Sequence, residues 1–144
     1  MLKQEIKISV LDIDKGDDTI QFQVEVTNGI SSASVDFYGY ADNFKEFATG
    51  LLSFPKTIND TVKYELGEIG ERWAYYILLD VFCYESNGHS AIHVIVDNNG
   101  KKPYTNKNEF YIRTVPASIN HLGELLNDWN PTTEKEIKWT AEWQ

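Results

Sequence analysis

Cysteine, long apolar runs and positive charge are all scarce in this sequence, and each scarcity removes a class of answer. The single cysteine, Cys83, cannot form an internal disulfide, so stability must come from packing. No stretch approaches the ~20 apolar residues of a membrane span. The start, Met1-Leu2-Lys3-Gln4-Glu5, runs straight into an alternating strand without the apolar segment or cleavage site of a leader, so cytoplasmic residence is the expectation. Only 13 Lys and Arg stand against 22 Asp and Glu, a formal charge of −9. That balance opposes nucleic-acid and anionic-membrane binding and favours a cationic partner, although solubility alone is the commoner reason for acidity. Catalytic spacing is missing too. There is no Gly-x-Ser-x-Gly elbow and no glycine-rich loop between a strand and a helix to cradle phosphate, so no cofactor is expected.

What the chain does have is apolar mass in regular patterns. Hydrophobic residues are 42% and aromatics 13% of 144, enough for one domain spanning 1–144 without metal or disulfide. Residues 1–130 carry its core, and 131–144 form a C-terminal tail. The central signal is Trp73 to Asp97, two apolar runs hinged at Asn87-Gly88, a dipeptide suited to a two-residue primed turn. Facing Ser86 with His89 sets Cys83 against Ile92, Val81 against Val94 and Leu79 against Val96. Burial of that apolar face resists a one-residue slip. The other face is mixed, with Tyr76, Leu78, Asp80, Phe82 and Tyr84 across from Ala91, His93 and Ile95.

Alternation also marks Glu5 to Asp12 and Ile20 to Val26. Asn28-Gly29 predicts a second two-residue turn, pairing Val24 with Ala33, Phe22 with Val35 and Ile20 with Phe37, so three strands form a meander. After Gly39 the period lengthens to about 3.6, and Phe44, Phe47, Ala48, Leu51 and Leu52 predict a helix. Asp42 is placed to cap it and Pro55 lies just beyond. Thr61 to Leu66 returns to alternation, with Leu66 set against Trp73, Tyr64 against Tyr75 and Val62 against Ile77. Phe110 and Ile112 predict a further strand, and Pro116 opens a second helix through Ile119, Leu122, Leu126 and Trp129. In the tail, Ile137, Trp139, Ala141 and Trp143 alternate as an edge strand would, while Thr133 and Glu136 also fit a helical capping box; the strand is preferred. The predicted class is α+β, a twisted antiparallel β-sheet of meander hairpins with two helices packed on it.

Three clusters invite a functional reading. Metal ligation by His89, His93 and Cys83 fails, because the register points Cys83 into the apolar face and His93 out of the other. Asp80 and His93, diagonal on the mixed face, have the chemistry of an acid/base pair, but a structural hydrogen bond is the commoner use of such a pair. With Tyr76 and Phe82 they make a candidate ligand face for a small-molecule-binding or enzymatic module. Acidic turns are the third cluster: Asp12, Asp14, Asp17 and Asp18 in one, and Glu65, Glu68 and Glu71 in another. Solvated turns explain them simply. The sharper reading is a negative rim that steers a basic partner onto aromatic anchors, with Trp139 and Trp143 as candidates unless they cap the sheet edge.

The order of elements resembles that of the WapI-type immunity proteins of bacterial contact-dependent toxin systems. The likeness covers roughly residues 19 to 130: a strand ending in Asn28-Gly29, a short strand, the helix Phe44 to Leu52, a long aromatic strand, then Gly88-His89 and an alternating strand. Phe110-Tyr111-Ile112-Arg113, Pro116 and a leucine-bearing helix to Leu126 continue it. The resemblance implies a stoichiometric inhibitor without catalysis or cofactor, whose partner is a cognate toxin domain. Such toxins are often nucleases with basic active sites, to which an acidic inhibitor is complementary. It assigns no binding residue.

Overall fold

The computed structural model describes residues 3–70 and 74–143. Its elements run β1 (Glu5–Ile13), β2 (Ile20–Thr27), β3 (Ser32–Gly39), α1 (Lys45–Leu52), β4 (Thr61–Gly67), β5 (Tyr76–Cys83), β6 (Ser90–Asp97), β7 (Lys107–Thr114), α2 (Pro116–Asp128) and β8 (Glu136–Thr140). The α+β class, the antiparallel meanders and the two helices are as the sequence predicts. The strands divide, however, into two four-stranded sheets, ordered β3-β2-β1-β8 and β4-β5-β6-β7. Their inner faces and the helices share one apolar cluster, in which Ile6, Phe22 and Trp139 of the first sheet meet Ile77, Val81 and Ile112 of the second. Among the described residues no helix is long and apolar enough to cross a membrane.

Both Asn-Gly hairpins keep the predicted faces but shift register by two residues. Thr27 pairs with Ser32, Val24 with Val35 and Phe22 with Phe37, which centres the first turn on Gly29-Ile30. Cys83 pairs with Ser90, Val81 with Ile92 and Leu79 with Val94, which centres the second on Ser86-Asn87. The cause is the asparagine side chain. Asn28 Oδ1 accepts from Ile30 N at 3.0 Å and Ser31 N at 2.8 Å, and Asn87 Oδ1 accepts from His89 N at 3.0 Å. An Asx turn thus moves each turn by one position, and at the second hairpin the positive φ falls on Gly88, after the central pair Ser86-Asn87, so that turn is not of the primed kind expected. The even shift leaves every side chain on its predicted face. The third hairpin slips further. Leu66 pairs with Ile77, Tyr64 with Leu79 and Val62 with Val81, because Tyr75 leaves the ladder to pack 6.0 Å from Phe37. The expected partner Trp73 lies outside the described residues.

The helices run antiparallel and hold each other by their ends. Lys45 Nζ donates to Asn127 O at 2.6 Å, while Asn120 Nδ2 donates to Leu51 O at 2.9 Å and Phe54 O at 2.8 Å. Asn120 thereby ties α2 to the end of α1 and to the residue Phe54 just beyond it, adding a second donor to Leu51 O, which also accepts from Phe54 N at 3.3 Å. Asp42 does not cap α1 with its side chain as expected; its carbonyl accepts from Lys45 N at 3.1 Å. The helices cross at Gly123, where a Cβ would lie 2.9 Å from Leu51 Cβ and 3.0 Å from Leu52 N.

The tail is a strand. β8 lines the first sheet against β1, with Ile6 opposite Trp139 and Ile8 opposite Ile137. Beyond it, Glu142 N donates to Ser118 Oγ at 3.1 Å and Thr114 Oγ1 donates to Glu142 O at 2.7 Å, pinning the chain to α2 and β7.

Candidate partner-binding face

The outer face of the second sheet collects the chemistry singled out in the sequence. Its register sets four side chains abreast in each row: Thr61, Phe82, Ala91 and Arg113; then Lys63, Asp80, His93 and Tyr111; then Glu65, Leu78, Ile95 and Glu109. Tyr76, Asp80, Phe82 and His93 therefore do share a face. They do not form the expected pair, since Asp80 and His93 sit directly opposite rather than diagonally, and His93 Nε2 lies 2.6 Å from Glu109 Oε2 instead. The His93 ring stacks on Tyr111 at 4.6 Å, and Phe82 meets Tyr111 edge-on at 6.3 Å.

Electrostatics on this face follow from partial burial. Asp80 Oδ1 is buried without a hydrogen-bond partner. That desolvation holds the Asp80 carboxyl above its usual range, against the attraction of His93 and Lys63. Glu65 shifts the other way: the Tyr76 hydroxyl donates to it at 2.6 Å and favours the carboxylate. Tyr76 is in turn pushed up to about 12, by burial first and then by Glu65. The space around Asp80 and His93, lined also by Ile58, Phe82, Cys83 and Tyr111, is an open concavity of about 410 Å³ rather than a closed pocket.

One end of the face is an aromatic ladder. The rings of Tyr84 and His89 lie 6.3 Å apart, those of His89 and Trp143 stack at 5.1 Å, and the Arg113 guanidinium sits 5.3 Å from the Trp143 ring. Tyr111 is 49% exposed and Trp143 47%, so both offer area to a partner. Sequence reasoning did not single out Tyr84, Tyr111 or Arg113 as site residues, although for Tyr111 and Arg113 the alternation with buried Phe110 and Ile112 was the available signal.

The two tail tryptophans part company. Trp139 is only 1% exposed and its Nε1 donates to Ser118 O at 2.9 Å, so it caps the sheet edge against the core and is no surface anchor. Glu65 stands on β4 beside the aromatic rows, 3.5 Å from Lys63, and Glu68 is exposed in the loop that follows. Glu71 lies outside the described residues. The aspartates of the first turn hold it together: Asp14 Oδ1 accepts from Gly16 N at 2.7 Å, and Asp17 Oδ1 from Thr19 N and Oγ1 at 3.0 and 2.6 Å. Cys83 is half-buried opposite Ser90, its Sγ 4.0 Å from Ser90 Oγ, rather than sealed against Ile92. Among the described residues no group of three or more His, Cys, Asp or Glu is placed to hold a metal ion.

No family model matches this chain, and neither a curated protein nor a solved structure does.

Proposed function

We propose that this chain is a bacterial, cytoplasmic immunity protein of the WapI type, which neutralises a cognate, basic, nuclease-like toxin domain by stoichiometric contact and has no catalysis of its own. The observation that carries the reading is the outer face of the second sheet, where Tyr84, Tyr111 and Trp143 present rings near the carboxylates of Glu85 and Glu109, with Glu65 on the opposite edge strand of the same face. Aromatic anchors within a charged rim are the anatomy of a protein interface, while an enzyme or small-molecule site needs enclosure that the open concavity at Asp80 lacks. The overall charge of −9 supports a cationic partner.

Surface plasmon resonance against a toxin domain encoded beside this chain tests the reading. Raising salt from ~0.1 to ~1 M shortens the Debye length from ~10 to ~3 Å and should slow association. Neutralising Glu65, Glu68 and Glu71 together to Gln should lower the on-rate. Tyr111→Ala and Trp143→Ala should each raise the off-rate about tenfold or more, the ~1.4 kcal/mol or greater loss of a buried anchor. Salt-independent association, with both alanine proteins binding as the parent does, would sink the proposal.

A further inference from the structure

Two open sheets have four edges, and three of these edges are guarded. β4 and β8 carry Lys63 and Lys138 and lie beside α1 and α2. β7 carries Lys107 and Arg113, and its outward backbone is occupied at Tyr111 and Arg113: Asn28 Nδ2 donates to Tyr111 O, Gln4 Nε2 donates to Arg113 O, and Arg113 N donates to Gln4 Oε1, each at 3.2 Å. Lysines on an edge and side chains that consume its backbone groups are the ordinary protections against strand addition.

β3 has neither. Its sequence, Ser-Ala-Ser-Val-Asp-Phe-Tyr-Gly, contains no basic residue, no proline and no bulge against β2. Because Asn28 N bonds to Ser31 O at 3.1 Å, the ladder's alternation turns the backbone of Ala33, Val35 and Phe37 toward β2, and that of Ser32, Ser34, Asp36 and Tyr38 outward. Among the described residues nothing bonds to those outward groups. They border a cleft of about 740 Å³ between β3 and the second sheet, lined by Val35, Phe37, Tyr75, Val96, Asn106 and Asn108. Ile30 and Tyr38, 84% and 67% exposed, flank the edge at its two ends.

We propose that the free edge of β3 is a docking site for an extended segment of a partner polypeptide, one that alternates apolar side chains toward the cleft with basic side chains toward Asp36 and Glu25. Unpaired donors and acceptors at strand spacing select a polypeptide backbone in extended form. Val35, Phe37, Tyr75 and Val96 select apolar side chains on one face of that segment. Asp36 and Glu25, on the solvent face of β3 and of a β2 that also lacks any basic residue, select cations on the other. A second copy of this chain is disfavoured as occupant by its own −9 charge. The site goes beyond the face proposed above, since it lies on the other sheet.

The probe is the blocked peptide Lys-Val-Lys-Val-Lys-Val, titrated into the full, isotope-labelled chain and followed by amide shifts and hydrogen exchange. Exchange at Ser34 and Asp36 should slow at least tenfold, and the Glu-Val analogue should do nothing. Ser34→Pro removes an outward N–H without touching the β2 ladder and should abolish the effect. Asp36→Lys, which keeps the strand and reverses the charge, should weaken it at least tenfold and decides the matter if the proline protein does not fold. Trp143→Ala should leave peptide binding unchanged whether or not the second sheet binds a toxin. No change at Ser32–Tyr38 up to millimolar peptide overturns the proposal, as does equal binding of the Glu-Val peptide or unaltered binding by both variants. Protection that appears without peptide and grows with protein concentration overturns it in favour of a second copy.

Discussion

Trp139→Ala and Trp143→Ala, four residues apart on one tail, should differ sharply in cost. Trp139 is fully buried between β1 and α2, and truncating such a side chain to alanine costs ~3 to 5 kcal/mol in lost transfer energy and cavity. Its indole N–H is also the donor to Ser118 O, a bond whose loss adds ~1 kcal/mol or more where the carbonyl cannot reach water. The sum, roughly 4 to 6 kcal/mol, is comparable to the whole stability of many domains. Trp143 is 47% exposed, and its contacts are the His89 stack and the Arg113 guanidinium, worth ~0.5 to 1 kcal/mol at an exposed site. Urea unfolding followed by far-UV circular dichroism separates the two without relying on tryptophan emission. With a urea slope of ~2 kcal/mol/M, Trp139→Ala should lower the midpoint by about 2 M or abolish the folded baseline, and Trp143→Ala by under ~0.5 M. Equal midpoints for the two variants would refute the assignment of β8 to the core.

Three further outcomes are expected. Val81→Asp places an unpaired charge on a side chain with 0% exposure and should leave no cooperative thermal transition; a retained melting temperature would mean the faces of β5 are misassigned. Asp80→Asn should raise the melting temperature at pH 7 but not at pH 3. Its folded pKa lies above the unfolded value near 3.8, so the folded state holds the extra proton and stability falls as pH rises through that window; an unchanged profile would show Asp80 solvated. Gly123→Ala, which would gain up to ~1 kcal/mol in an exposed helix, should destabilise instead, because the new Cβ meets Leu51 at 2.9 Å; a gain in melting temperature would show that α1 moves aside freely.

The sequence carried the faces of the strands better than their partners. Period-two alternation reports which side of a strand is buried, so Val81, Val94, Ile6 and Phe22 fall on their predicted faces even where the register is off by two. It is silent on which sheet a strand joins, because an apolar face looks the same against either. The turn rule failed at Asn28 and Asn87 for a local reason: the dipeptide preference describes backbone angles, whereas the side-chain oxygen competes for the same N–H groups. Asn120 and Gly123 were illegible because their roles exist only where the two helices cross. Asp80, Phe82, His93 and Tyr76 fall on one face of the second sheet, as alternation predicts. Trp139 and Trp143 share one parity on the tail, and only the end of β8 at Thr140 separates the core residue from the exposed one.

Acidity in this chain divides by the work each carboxylate does in the fold. Asp14, Asp17, Asp60 and Asp97 accept backbone N–H groups at 2.7 to 3.0 Å inside turns, which is why short acidic side chains crowd those positions. On the first sheet, Glu5 and Glu136 lie within 3.3 to 3.8 Å of lysines. The longer glutamates of the second sheet have softer partners: Glu85 an imidazole at 3.2 Å, Glu109 another at 2.6 Å, and Glu65 the Tyr76 hydroxyl along with Lys63. A cation approaching the turns meets carboxylates committed to holding a loop, so neutralising them trades stability rather than attraction. An approach to the outer face of the second sheet meets carboxylates on flexible stems beside exposed rings. There a guanidinium or ammonium can exchange a hydrogen bond without unravelling a turn, and that is the physical ground for proposing that a basic partner binds this face rather than the acidic turns that first draw the eye.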